Sequence, residues 1–245
     1  RLTTDTKLNL TGLVNCESLA VRVRAVNTGG HSQPSKVLIA RVREGGPKVL
    51  WVHGVRRTVR TVLEGPEAPQ HGAWMLEDLR AVARSDLHIE STEAVEVASG
   101  EVALEGYDLV IWSAGETSTR DKSLSEGERH ALQGYLEQGG ALMLSGAELG
   151  WDLVAHGDEE SRRFFSDVLQ ASYVADAAET SVVEPGPGSL LLDSFDSAWI
   201  DDGTYGRYRV EYPDALDVLG TGHAELFYES GEVAALSAEG PGKVW

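Results

Sequence analysis

The sequence of 245 residues contains one cysteine, Cys16, and two methionines. A single thiol excludes an intrachain disulfide and any Cys-based zinc cluster. No apolar run approaches the ~18 residues of a membrane span, and no charged-then-apolar leader opens the sequence, so neither is expected within these residues. No G-x-G-x-x-G and no G-x-x-x-x-G-K-[ST] follows an apolar run, which argues against a sugar-nucleotide or phosphate-binding enzyme, and no cofactor or metal is expected. Basic residues are scarce as well: Lys plus Arg number 21 against 39 Asp plus Glu, a net charge of −18. Such a balance excludes a nucleic-acid-binding surface over the chain as a whole.

What is present is ordinary globular composition, 42% hydrophobic and 24% charged, in a length that allows one large domain or two smaller ones. The charge divides unevenly. Residues 1–60 hold 11 Lys/Arg and 3 Asp/Glu, whereas residues 61–245 hold 10 and 36. That break suggests two modules, with a boundary at Gly45-Gly46-Pro47.

In the first module, Lys7 to Thr11, Leu19 to Val26 and Val37 to Val42 alternate apolar with polar residues, the period of half-buried strands. The last two are expected to form a hairpin across the turn-rich stretch from Asn27 to Ser35. Arg22, Arg24, Arg41 and Arg43 then either make a basic patch able to grip phosphates or acidic glycans or are solvated arginines on the wet face of a small sheet. The string Leu13-Val14-Asn15-Cys16-Glu17-Ser18-Leu19-Ala20-Val21-Arg22-Val23-Arg24-Ala25-Val26-Asn27, with Gly29-Gly30-His31-Ser32-Gln33-Pro34-Ser35 after it, resembles the closing half of a fibronectin type III domain over residues 5–43. Leu19 stands where that family carries a corner tyrosine. Three strands of a seven-strand sandwich leave apolar faces without partners, so the resemblance implies a partial module over residues 1–44, with Leu8, Val21, Val23 or Ile39 exposed, cut from a longer protein.

The second module reads as α/β. Lys48 to His53 and Leu109 to Trp112 are continuous apolar runs, as buried parallel strands require. Met75, Leu76, Leu79 and Val82 fall at helical spacing in 74–84. Ser125-Glu126-Gly127-Glu128 is a capping box that opens a helix over 125–138 with Leu132, Tyr135 and Leu136 on its apolar stripe. Ala141 to Ser145 follows as the next strand, completing a parallel crossover. Residues 159–170 are expected to be helical, with Phe164, Phe165, Val168 and Leu169 inward. Five short strands, 180–184, 208–212, 216–219, 224–228 and 233–237, are expected to extend the sheet in antiparallel fashion.

The stretches 107–153, 164–176 and 208–228, above all Trp112-Ser113-Ala114-Gly115-Glu116 and Ser145-Gly146-Ala147-Glu148-Leu149-Gly150-Trp151-Asp152-Leu153, resemble a class I glutamine amidotransferase-like, flavodoxin-like domain of large secreted bacterial proteins. There it follows fibronectin type III repeats and accompanies cell-wall amidases or polysaccharide lyases. The resemblance spans residues 45–245 and implies a C-terminally truncated domain with a mainly parallel sheet, an extracellular bacterial setting, and a cell-wall glycan or peptide, or other domains of the same chain, as partners.

Ligands of such sheets bind beyond the carboxyl ends of the strands. This rule selects His53 and Gly54, then Glu116, then Ser145, Gly146 and Glu148 as candidate ligand-binding residues, with backbone amides of Gly54, Gly146 and Ala147 as donors. No catalytic residue is assigned. Amidotransferases of this class carry a cysteine on the turn after such a strand, and Cys16 lies in the other module. Ser145 lacks the flanking glycines of G-x-S-x-G, having Met143 and Ala147 at those places. An alternative is a hydrolase using Ser145 or a Glu116/Glu148 carboxylate pair with His53. His130 lies off its helix's apolar stripe and faces solvent, and Asp201-Asp202-Gly203 is either a turn or a calcium ligand.

Overall fold

The computed structural model describes residues 3–32, 34–56, 85–191, 196–200, 210–240 and 243–244. The expected helix 74–84, the Asp201-Asp202-Gly203 turn and the first half of the expected strand 208–212 lie outside these residues.

The amino-terminal segment contributes β1 (Ser18–Val21), β2 (Val26–Asn27), β3 (Gly30–His31) and β4 (Leu38–Arg41). The expected hairpin is present: β1 pairs antiparallel with β4, Ala20 opposite Ile39, while β2 and β3 form a separate two-stranded ladder. Residues 7–11 are not a strand. Leu8 and Leu10 alternate correctly but have no surface to cover and are exposed. Val21 and Val23 are also exposed, whereas Ile39 is buried among Val37, Val49, Trp51 and Ile89. The reason is β4, which bonds to the neighbouring α/β sheet as well as to β1. Arg41 corrects the basic-patch reading. It is buried, and its guanidinium donates to Cys16 O, Ser18 Oγ and Ser85 O.

The α/β sheet is built on β5 (Lys48–His53), β6 (His88–Glu93), β7 (Leu109–Gly115) and β8 (Ala141–Gly146). A short helix, Ala94–Ala98, follows β6, and the capped helix runs over Glu126–Glu137 between β7 and β8. Next come a π-type turn at Trp151–Ala155, a helix at Glu159–Arg163 and a second π-type turn at Phe164–Val168. The remaining strands are β9 (Ala171–Ala175), β10 (Val182–Pro185), β11 (Ala198–Trp199), β12 (Ala215–Val218), β13 (Gly222–Tyr228), β14 (Val233–Glu239) and β15 (Lys243–Val244). Residues 210–212 are not strand.

Parallel ladders join β6 to β5, β5 to β7, β7 to β8 and β8 to β15. Counted along this domain, the parallel strands lie in the order 2-1-3-4-5, the flavodoxin-like order. The molecule is therefore α/β, with a mixed sheet whose centre is parallel and a separate small antiparallel sheet. Antiparallel strands flank the centre on both edges, not only on the expected one: β4 pairs with β6, and β14, β13 and β10 continue beyond β15.

The continuous apolar runs are explained by burial on both faces. Leu50, Val52, Val110, Trp112 and Leu142 meet Leu132 and Leu136 of the capped helix and Phe164, Phe165 and Leu169 beyond it, while Val49 and Trp51 enter the core shared with β4. Each such side chain contributes roughly 1.5–3 kcal/mol of apolar transfer.

Candidate functional site

The strand order reverses between β5 and β7, so the crevice of a flavodoxin-like sheet opens at His53, Gly54 and the segment after Ser113. The parallel register places Glu93, His53, Ser113 and Ser145 in one row across four strands. Paired residues of parallel strands share a face, and two strand spacings separate His53 from Ser145, about 10 Å.

His53 does not face the crevice as a titratable base. Its side chain is 1% exposed, and the ammonium of Lys36 lies 3.2 Å from Nδ1 while donating to Glu93 Oε2 at 2.7 Å and Val55 O at 2.9 Å. An ammonium has only donors, so Nδ1 accepts and the ring proton sits on Nε2. Burial first, and the neighbouring Lys36 charge second, push the His53 pKa down to about 4. Its lone pair is already used.

Gly54 is demanded by packing. A Cβ there would lie 2.6 Å from the Trp112 indole nitrogen and 2.9 Å from Ser113 O. Its amide donates to Ser113 O, and that of Ala147 to Gly115 O, each at 2.8 Å. Two of the three amides expected to hold a ligand are therefore spent within the fold. Arg56, two residues on from Gly54, spans the switch point: its amide donates to Thr117 Oγ1 at 2.9 Å, and its guanidinium donates to Asp121 O and Lys122 O and pairs with Glu128. Glu128 is fully buried, and its second oxygen accepts from Ser125 N at 2.7 Å, so one carboxylate both caps the helix and closes the loop.

Glu116 is buried one residue past the Gly115–Gly146 pair. Ser145 is exposed on β8, before the turn rather than on it. The turn itself runs Gly146-Ala147-Glu148-Leu149-Gly150: strand to Gly146, a bend at 147–148, helical backbone from 149, with Asp152 N donating to Glu148 O at 3.1 Å. Both glycines are tightly enclosed. A Cβ on Gly146 would sit 3.0 Å from Ala114 Cβ, and one on Gly150 would sit 2.6 Å from Tyr173 Cδ2. This is the G-x-[nucleophile]-x-G pattern of a strand-to-helix elbow, displaced by three residues from the frame centred on Ser145, and a carboxylate occupies its middle. The pentad is legible in the sequence. A search for a hydroxyl or thiol between glycines passes over it. Among the described residues the non-glycine positive-φ positions are Cys16, Lys122, Gln170, Ala177 and Glu179, so Glu148 lacks a left-handed backbone.

Behind the turn, buried Asp214 accepts from Gly150 N at 2.6 Å and Trp151 N at 3.2 Å. Burial pushes its pKa up to about 8 against those two hydrogen bonds, with smaller contributions from the charges of Glu148 and Asp176. Tyr173 is pushed up to about 12, by burial first and then by Asp214, Asp176 and Glu148. No sequence pattern points to Asp214. It comes from a loop some sixty residues beyond the turn.

Two further features lie apart from these residues. An open concavity of about 380 Å³ at the ends of β9 and β12 has Ala175, Glu179, Ala215 and Glu232 in its wall and none of the candidate residues. Glu126, exposed His130 and Glu160 bring ligand atoms within 4.8 Å of one another on the surface. Pairing of His130 with Glu160 at 3.0 Å, beside Arg129 at 3.6 Å, accounts for that group. Among the described residues, no helix is long and apolar enough to cross a membrane.

No family model matches the chain, and no curated protein matches it. Solved structures do. The chain is similar to a glutamine amidotransferase from Thermotoga maritima, at 14% identity over 82% of this chain and 75% of that one, with a TM-score of 0.45. It is also similar to a protein assigned as a GMP synthase subunit from Thermoplasma acidophilum, at 10% identity over 82% and 83%, with a TM-score of 0.47. A third likeness is to the N-terminal domain of mmIFT52, at 18% identity over 80% and 83%, with a TM-score of 0.41. The order and register of the strands, rather than these likenesses, define the fold.

Proposed function

We propose that the chain is a non-catalytic binding or spacer module of a secreted, multidomain bacterial protein, accessory to an enzyme that degrades cell wall or polysaccharide. The observation that carries this reading is Glu148 in the middle of the Gly146–Gly150 pentad after β8, where the spacing of an acyl-transfer enzyme's turn calls for a thiol or hydroxyl. Such an enzyme also needs a base within about 3 Å of the nucleophile. The nitrogen of His53 that would have to accept a proton, Nδ1, is engaged by Lys36. The fibronectin-like pattern of residues 5–43 supports the secreted setting. Half-buried Glu148 is the carboxylate of this turn that reaches the surface, where a carboxylate can accept from the hydroxyl and ammonium groups of a glycan or peptide. Co-sedimentation with insoluble peptidoglycan tests this: the chain is expected to sediment with it and Glu148→Gln to do so less, whereas an unchanged supernatant for both rejects the ligand.

One observation favours a hydrolytic second reading. Asp214, raised to about 8 by burial with a smaller contribution from the charge of Glu148, holds a proton near neutral pH, as a general acid must. A rate that falls as Asp214 ionises and disappears in Glu148→Gln would select it.

A further inference from the structure

Nothing in the sequence marks Lys36, a lone basic residue before β4, yet in the fold its ammonium is fully coordinated at the strand ends. Its three donors meet three acceptors of different kinds: His53 Nδ1 at 3.2 Å, Val55 O at 2.9 Å and Glu93 Oε2 at 2.7 Å. Three donors is the full complement of a primary ammonium. Each acceptor is fixed by structure that does not involve Lys36. His53 is buried at the end of β5, and the register sets it opposite Glu93 at the end of β6. The Glu93 carboxylate is oriented by its own capping box on the helix Ala94–Ala98, reciprocal with Glu96. Val55 lies two residues past His53 on a buried loop. The lysine is the one member that arrives from elsewhere, on the segment leading into β4, and its side chain remains 22% exposed.

We propose that the carboxyl ends of β5 and β6 form a binding site for a primary alkylammonium group, which Lys36 fills in cis. The site discriminates by donor count. A quaternary ammonium has the charge and no donor, and a planar guanidinium cannot direct three donors to acceptors arranged around one nitrogen. Filling it also latches the amino-terminal segment to the α/β sheet, next to the place where β4 joins β6. The site stands on this geometry alone and is independent of whether Glu148 binds a glycan or acts in hydrolysis.

The test begins with the unaltered protein. Long-range nitrogen–proton correlation spectra of His53 at pH 7 are expected to show the neutral ring with its proton on Nε2 and Nδ1 as acceptor. A proton on Nδ1 overturns the proposal. Lys36→Ala deletes the four atoms Cγ to Nζ, which n-propylammonium replaces. At ten times its dissociation constant that cation is expected to raise the melting temperature of Lys36→Ala by about 4 °C more than tetramethylammonium at equal ionic strength. In Lys36→Met, whose side chain fills the space, the two cations are expected to act alike. Equal responses to both cations in Lys36→Ala reject the site. Should Lys36→Ala fail to fold, acetylation of the native protein decides: Lys36 is expected to react at least ten times more slowly than exposed Lys122, and equal rates overturn the assignment.

Discussion

Gly54 shows how one missing side chain holds the switch point together. The volume a methyl group would occupy is already taken by the Trp112 indole edge and the Ser113 carbonyl, so Gly54→Ala is expected to lower stability by about 1–3 kcal/mol through overpacking, read as a lower urea midpoint with unchanged slope. Titration at two other residues acts in opposite directions. His53 has a folded pKa near 4 against an ordinary 6.5, so the unfolded chain binds more protons between those values. Its contribution is complete above pH 6.5 and is lost as pH falls towards 4. Asp214 has a folded pKa near 8 against an ordinary 3.8, so the folded chain holds the extra proton and stability declines as pH rises from 4 to 8. Asp214→Asn removes only the second slope. Its stability relative to wild type is expected to climb across that range by an amount on the order of a few kcal/mol, measured as urea midpoints at pH 4, 6 and 8; a constant difference contradicts the assignment.

At the scale of elements, the helix Glu126–Glu137 depends on a carboxylate with two duties. Glu128→Ala removes both the cap on Ser125 N and the partner of Arg56. Arg56 retains access to water, so the loss is expected to be about 2–4 kcal/mol, with Glu128→Gln losing less because the amide oxygen still caps. The same capping box makes this helix legible from sequence, as the apolar runs make β5, β7 and β8. Elements without such signals escape it. In β6 the residues His88-Ile89-Glu90-Ser91-Thr92-Glu93 offer a single large apolar side chain, and the strand is tied at its edge to β4 by Ile39 N donating to Ser91 Oγ at 2.7 Å. In β9, Ala171 and Ser172 carry little β preference, and pairing with β12 imposes the strand. Lys7 to Thr11 errs the other way: alternation is necessary for a half-buried strand and is insufficient where nothing lies on either side. The site follows the same rule. The strand ends that carry His53, Gly54 and Glu116 follow from the apolar runs, while Asp214, distant in sequence, has no local mark.

For the whole molecule, the change of charge near residue 60 does not coincide with a break in the sheet. Strand β4 hydrogen-bonds to both β1 and β6, and Ile39 shares a core with Trp51 and Ile89. Ile39→Ala is therefore expected to destabilise the α/β sheet by about 2–5 kcal/mol, and hydrogen exchange is expected to show the amides of β5 and β6 losing protection together with those of β4; unchanged protection in β5 contradicts a shared core. At the Gly146–Gly150 turn the proposed function rests on a carboxylate, Glu148, between the two glycines. The most direct measurement is turnover of glutamine, p-nitrophenyl esters and muramyl peptides by the purified chain beside its Glu148→Gln and Ser145→Ala variants. The account predicts rates equal to buffer for all three proteins, and turnover by the unaltered chain that disappears in either variant would contradict it.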